Sequence, residues 1–236
     1  MKSPTLLYNK EHGPLPSLLL CLTAVTGIVD AISILSLGRV FVANMTGNIV
    51  FIGLAIAHAP GFSLLSSVFA LVGFLIGAVI GGRLINEYGK DRAMLFAASC
   101  VFEFEFIIGA LIIGLSLSNP TSGTGRYSLS ILLAIMMGIQ NAVVRRLAVP
   151  DMTTTVLTMT LTGIAADVRQ SGWRSIQLAR RLIAVLSMLL GALVGAELVL
   201  KNSATMALAL VAIIMFLVLI GALIELQKPA KWRMTI

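Results

Sequence analysis

Two carboxylates stand two residues apart in the run VFEFEFII, at Glu103 and Glu105, and no Lys or Arg lies between Arg92 and Arg126 to pair with them. A charged carboxylate at the centre of a bilayer costs at least about 2.5–3.5 kcal/mol. Acids kept in such a run therefore point to proton coupling or to contact with a solute. The competing reading is a polar contact between helices or subunits. Two residues on a helix differ by about 200° in direction, so at most one of the pair faces a central cavity. The other must face a neighbouring helix, a subunit partner or lipid.

Two polar knots offer a second kind of chemistry. FVANMTGNIV at 41–50 supplies Asn44, Thr46 and Asn48, and AVPDMTTTVL at 148–157 supplies Asp151, Thr153, Thr154 and Thr155. Asn and Asp are good N-caps, and Pro150 interrupts a preceding helix. The pattern predicts short helices over 45–58 and 152–166. Their N-termini would present free N–H groups and partial positive charge, with amides and hydroxyls around them. That combination suits binding of a small polar or charged solute. Asp30 in GIVDA (27–31) and the amides Gln140 and Asn141 in GIQNA (138–142) are expected to line the same cavity. Any one threonine could equally serve only to cap a helix or bond nearby backbone.

The elements that must position these groups are set by composition. Apolar residues make up 58% of the 236 and charged residues 11%, with a mean hydropathy of +1.00. Soluble domains carry about 25% charged residues, so the chain reads as a single all-α integral membrane domain over 1–236. Six runs reach the length of about 20 residues that a bilayer core requires: about 16–37, 62–84, 93–117, 127–148, 179–200 and 204–226. They lack the alternation of barrel strands. The first reads as a span, not a removable signal.

Two shorter runs, 40–58 and 149–168, remain. With the N-terminus in the cytoplasm and only the six long runs crossing, Arg83–Arg92, Arg145–Arg146, Arg169–Arg181 and the C-terminal tail all fall inside. This is the positive-inside pattern. If both short runs crossed as well, Arg83–Arg92 would move outside. They are therefore expected to be re-entrant or broken half-helices. Roughly five extended residues at about 3.3 Å each reach mid-membrane, and about twelve helical residues at 1.5 Å return.

Three short matches recur in order. GIVDA pairs with GIQNA at an offset of 111, the knots pair Asn44–Asp151, Met45–Met152 and Thr46–Thr153 at 107, and GAVIGG (77–82) pairs with GALVGA (191–196) at 114. Nearly constant offsets indicate an internal duplication, with repeat 1 at about 16–117 and repeat 2 at about 127–226. Three crossings per repeat is an odd number, so the two repeats should have inverted topology, with broken helices meeting near the midplane. Gly73, Gly77 and Gly81, like Gly191 and Gly195, are spaced for close helix packing.

The stretch TAVTGIVDAISILSLGRVFVANMTGNIVFIGLA (23–55), with GIQNA and DMTTTVLTMTLTG later, resembles the YoaK-type family of bacterial integral membrane proteins, a domain of unknown function. The resemblance covers about 16–226. It implies a multi-pass bacterial inner-membrane protein and supplies neither a substrate nor site residues.

The basic balance, a net charge of +7, is accounted for by loop topology signals, so no nucleic-acid partner is expected. Cys21 and Cys100 lie within apolar runs and His12 and His58 outside the spans. No metal-ligand cluster, nucleotide loop or catalytic triad is spelled out, so neither enzyme activity, nor a metal, nor a cofactor is expected. The expected partners are the lipid bilayer, a small-molecule solute and a second copy in a homodimer. The leading reading is a small secondary transporter, with proton coupling at Glu103 or Glu105. The alternatives are a channel-like pore and a non-transporting accessory protein.

Overall fold

Among the described residues, six helices are long and apolar enough to cross a membrane. They are α1 (Leu15–Ser36), α3 (Leu64–Tyr88), α4 (Arg92–Ser116), α5 (Gly123–Leu147), α7 (Ile176–Lys201) and α8 (Ala204–Leu226), with the shorter α2 (Met45–Ile56) and α6 (Leu157–Ser171) between them. One turn of 3-10 helix follows at Lys231–Met234. The computed structural model describes residues 11–150, 157–171, 176–228 and 231–234. The six crossing runs read from composition all appear, with ends displaced by a few residues.

Caps explain several boundaries. Ser63 accepts from the Ser66 N–H at 3.3 Å, Asp91 from Ala93 and Met94 at 3.0 and 3.2 Å, and Ser203 from Met206 at 3.2 Å. Each satisfies one or two of the N–H groups that a helix start leaves open. Pro16 sits in the first turn of α1, where its missing N–H is harmless. After α1 the chain reverses through Gly38 and Arg39, both at positive φ (94° and 57°).

Glycine contacts fix the directions of the helices. A side chain at Gly73, Gly77 or Gly81 on α3 would meet Ile131, Ile135 or Ile139 on α5, and the numbers rise together, so α3 and α5 run parallel. Gly191 and Gly195 on α7 lie against Ala24 and Ile28 on α1, so that pair is also parallel. The start of α4 meets the end of α5 through Arg92 Nη2 and the Leu147 carbonyl at 2.6 Å, which makes those two antiparallel. The end of α4 meets the start of α8, where Thr205 Oγ1 donates to the Gly114 carbonyl at 3.0 Å.

Two opposite ends of the bundle follow. One end, here the N-terminal face, gathers Gly13, Asp91, Leu147 and the 3-10 turn: Trp232 packs over Gly13, and Arg233 bonds Asp91. At the other end Gly38 lies beside Ser66 and Arg126, and Gly61 beside Arg39. The chain therefore leaves α1 and enters α3 at the same end, with α2 in between.

The packing has an internal regularity. α1 packs on α7 and α8, and α5 packs on α3 and α4. α2 packs on α3 as α6 does on α7, α3 touches α4 as α7 touches α8, and α1 meets α5 and α4 meets α8. Exchanging each of α1–α4 with α5–α8 in order leaves this pattern unchanged. The match extends to residues. Gly27 sits against Met188 and Ala192, while Gly138 sits against Phe74 and Ala78, at the 111- and 114-residue offsets of the sequence motifs. The caps Asp91 and Ser203 are likewise 112 apart.

Candidate functional site

The chain from Leu37 to Ala43 is extended or turning, yet Leu37, Val40, Val42 and Ala43 are buried. Buried irregular backbone needs partners, and two side chains supply them. Asn48, on the first turn of α2, accepts from Phe41 N–H through Oδ1 at 2.9 Å and donates to the Phe41 carbonyl through Nδ2 at 2.5 Å. Phe41 also stacks on Phe51 one turn further along, with centroids 5.7 Å apart. Asp30 on α1 faces the N–H groups of Ala43 and Val42.

Asn48 has a backbone role that the motif did not foretell. Both ends of its amide bond one residue of its own chain, so it builds the break. Asn44 occupies the N-cap position, but its side chain caps nothing, and both it and Thr46 are exposed. The physical reason is that Asn48 already fixes the entry of the chain into α2. The helix also ends at Ile56, two residues short of expectation, where His58 turns to positive φ.

A polar line crosses the interior between α1 and α5. Gln140 donates through Nε2 to Thr26 Oγ1 at 3.1 Å, and Thr26 in turn donates to the Leu22 carbonyl at 3.0 Å. Asp30 lies one turn beyond Thr26 on the same helix. Asp30 is 6% exposed and Gln140 fully buried, and Asp30 Oδ1 and Gln140 Oε1 have no hydrogen-bond partner among the described residues. Asn141, half-buried, donates to the Met137 carbonyl at 2.9 Å.

The two glutamates part company, as their spacing requires. Glu103 is fully buried and neither of its carboxyl oxygens has a hydrogen-bond partner among the described residues. Ser99, one turn earlier, faces it but gives its hydroxyl to the Phe96 carbonyl at 2.9 Å. Glu103 on α4 and Thr26 on α1 each lie eleven residues past the start of a helix that begins at the N-terminal face, about 16 Å in at 1.5 Å per residue. Glu105 is exposed. It lines a groove of about 580 Å3 on the outside of the bundle with Arg83, Glu87, Phe102, Phe106 and Leu132.

Asp151, Thr153, Thr154 and Thr155 lie outside the described residues, as does the start of the expected helix at 152. The described helix there is Leu157–Ser171. Among the described residues α2 and α6 do not touch; each packs on the helix that follows it. On the polar line between α1 and α5, Thr26 is a member that the motifs did not single out. Its only signal was its place one turn before Asp30.

The family model described as "Protein of unknown function (DUF1275)" matches residues 18–221. The UPF0700 transmembrane protein YoaK of Bacillus subtilis (strain 168) is 39% identical over 150 residues, 64% of this chain and 64% of that protein. The match thus spans just under two thirds of that relative's length. No solved structure matches. With the family model covering most of the chain and six helices able to span a bilayer, this is a multi-pass membrane protein that belongs to the DUF1275 family.

Proposed function

We propose that the protein is a small secondary transporter of a polar or charged solute, built as two repeats of inverted topology. The observation that carries this reading is a set of acid and amide oxygens sealed inside the bundle that accept no hydrogen bond among the described residues: Asp30 Oδ1, Gln140 Oε1 and both carboxyl oxygens of Glu103. An unpaired buried polar group costs about 1–3 kcal/mol, and inside a membrane such groups mark solute or ion paths. A chain that only needed to span lipid would gain stability by replacing them.

The inverted arrangement is supported by the exchange symmetry of the contacts. α1 opens the first half from the N-terminal face, and α5 opens the second from the opposite face. It is supported too by α2, whose 12 residues span about 18 Å, too short for a hydrocarbon core of about 30 Å. A re-entrant course for 37–63 fits its two ends lying at one face. The solute would occupy the space between the α1–α5 polar line and the start of α2. Asp30, Gln140 and Asn141 would contact it, and so would Thr46 once the half-helix moves. Glu103 would exchange the coupled proton. Asp151, Thr153, Thr154 and Thr155 complete the site in this reading.

Lys90, Arg92, Arg145, Arg146, Arg180, Lys228 and Arg233 cluster toward the N-terminal face, against Arg39, Arg126 and Lys201 at the other. This bias supports a topology with both termini in the cytoplasm of a bacterial cell. Glu105 and its groove, on the lipid side, would be covered by a second copy in a homodimer. The test is solute-dependent thermal stabilisation of the purified protein at two pH values, followed by uptake into proteoliposomes. Uptake that Asp30→Asn and Gln140→Leu both leave unchanged would overturn the site.

A further inference from the structure

The hydrogen bonds along the polar line between α1 and α5 run in one direction only. Thr26 gives its single hydroxyl proton to the Leu22 carbonyl at 3.0 Å, so toward Gln140 it can only accept. This holds the Gln140 amide with Nε2 on Thr26 at 3.1 Å and leaves Oε1 as the free end. Asp30, one turn further along α1, faces the Ala43 and Val42 N–H groups and keeps Oδ1 without a partner among the described residues. All three side chains are buried. The two atoms left over are both acceptors, and no Lys, Arg or His among the described residues pairs with Asp30.

Packing alone does not call for these groups. The 111-residue offset puts Met137 in the place of Thr26 and Val29 in the place of Gln140, both fully buried, and Asn141 in the place of Asp30. The equivalent positions of the other half thus carry no hydroxyl, no amide oxygen at the Gln140 place and no carboxylate. The start of α2 brings about half a unit of positive charge toward Asp30, less than the full negative charge of an ionised carboxylate. One further positive charge balances the site. A divalent ion would leave an excess of charge in the interior, which is costly.

We propose that Asp30 and Gln140 bind a monovalent cation between α1, α5 and the start of α2. Asp30 Oδ1 supplies the charge and Gln140 Oε1 a second oxygen, and Thr26 is the positioning residue that turns the amide oxygen free. Thr26 and Asp30 stand about 6 Å apart along the helix, a span that an ammonium group or an ion with its water bridges. The cation is an inorganic ion or the ammonium head of the carried solute, since oxygen acceptors serve both. The assignment rests on the solute site of the proposed function and gives that site a sign, yet its occupancy is measurable without transport.

The test is thermal unfolding of the full-length protein in detergent, titrated with the chlorides of Na+, K+ and methylammonium while choline chloride keeps the ionic strength constant. A ligand of the folded state raises Tm saturably. Such a rise is expected with at least one of the three cations, relative to choline, whose methylated nitrogen offers oxygen neither an N–H nor a close approach. A rise with Na+ or K+ identifies an inorganic ion, and a rise with methylammonium alone the head group of the solute. Asp30→Asn keeps the shape, removes the charge and should weaken binding by about tenfold or more. Gln140→Met removes Oε1 at similar length, should weaken it too, and decides the matter if the Asp30 variant does not fold. No saturable rise with any of the three, or unchanged binding in a folded variant, would overturn the cation site. Stabilisation by an uncharged or anionic solute with no cation effect would overturn it while leaving the transport reading intact. Cation binding without uptake in proteoliposomes would do the reverse.

Discussion

Arg233 holds Asp91 with two nitrogens, Nη2 to Oδ2 at 2.5 Å and Nε to both carboxyl oxygens at 3.1–3.2 Å, across 142 residues of sequence. Asp91 simultaneously caps α4, while Arg233 also donates to the Leu226 carbonyl at the end of α8. One ion pair thus ties the start of the fourth helix to the end of the eighth. Trp232, beside it, covers Gly13 before α1.

The clasp should open in acid. Partial burial pushes the Asp91 carboxyl up, but the Arg233 guanidinium and the Met94 and Ala93 N–H groups outweigh it and hold it below its ordinary value. A carboxyl depressed in the folded state contributes stability above its unfolded value, about 3.9. That contribution is lost as pH falls through the folded value. Hydrogen-exchange protection of residues 227–228 and 231–234, corrected for the intrinsic exchange rate at each pH, should therefore be high at neutral pH and fall below about pH 4. Asp91→Asn should show the low protection at every pH. High protection in that variant would mean that Trp232 and the Leu226 contact suffice.

Glycines at helix contacts give a sharper comparison. A methyl group at Gly77 would overlap the Ile135 carbonyl, and one at Gly191 the Ala24 carbonyl, whereas one at Gly82 would meet no other element within 4 Å among the described residues. Gly77→Ala and Gly191→Ala should each destabilise by about 1–3 kcal/mol through overpacking. Gly82→Ala should be neutral or stabilising by up to about 1 kcal/mol, since alanine is the better helix former. Thermal unfolding in one detergent checks the order. A Gly77 variant as stable as the Gly82 variant would contradict the close α3–α5 packing.

The fold was legible because lipid leaves few choices. Six apolar runs had to be helices, their length separated them from the two short runs, and the glycine spacing named the faces that pack on α5 and α1. The opposite fates of Glu103 and Glu105 were legible from helix geometry alone, although which one turns inward was not. That depends on where α5 and α8 sit against α4. The backbone role of Asn48 was not legible because an amide near a helix start looks the same in sequence whether it awaits a solute or serves backbone. Only the course of Phe41, folded back onto it, distinguishes the two. Thr26 escaped notice because threonines are common in membrane helices and its partner Gln140 lies 114 residues away.

Topology can be checked without a ligand. Reporter fusions at Gly61, Gly123 and Asn202 should report the outside of the cell, and fusions at Tyr88 and Gln227 the inside. The contacts place Gly61 beside Arg39, so both flanks of α2 belong to one end of the bundle. An inside result at Gly61 together with an outside result at Tyr88 would make α2 a full crossing and remove the inverted repeat.

Glu103 carries the strongest mechanistic expectation. Its carboxyl is fully enclosed about halfway along α4, with no hydrogen-bond partner among the described residues, whereas Glu105 two residues on is exposed beside Arg83 and Glu87. The cap offset of 112 places Met215 on α8, also fully buried, as the counterpart of Glu103. An acid has therefore been set into one half of a regular scaffold where the other half keeps an apolar group. Glu103→Gln preserves shape and hydrogen-bonding capacity and deletes only the titration. If Glu103 couples solute movement to protons, the glutamine variant should fold as the parent does and still exchange solute across proteoliposome membranes. It should no longer accumulate solute when a proton gradient is imposed. Glu105→Gln should keep that response. Retention of gradient-driven accumulation by Glu103→Gln, or a loss explained wholly by less folded protein, would reduce Glu103 to a packing contact between α4 and its neighbours.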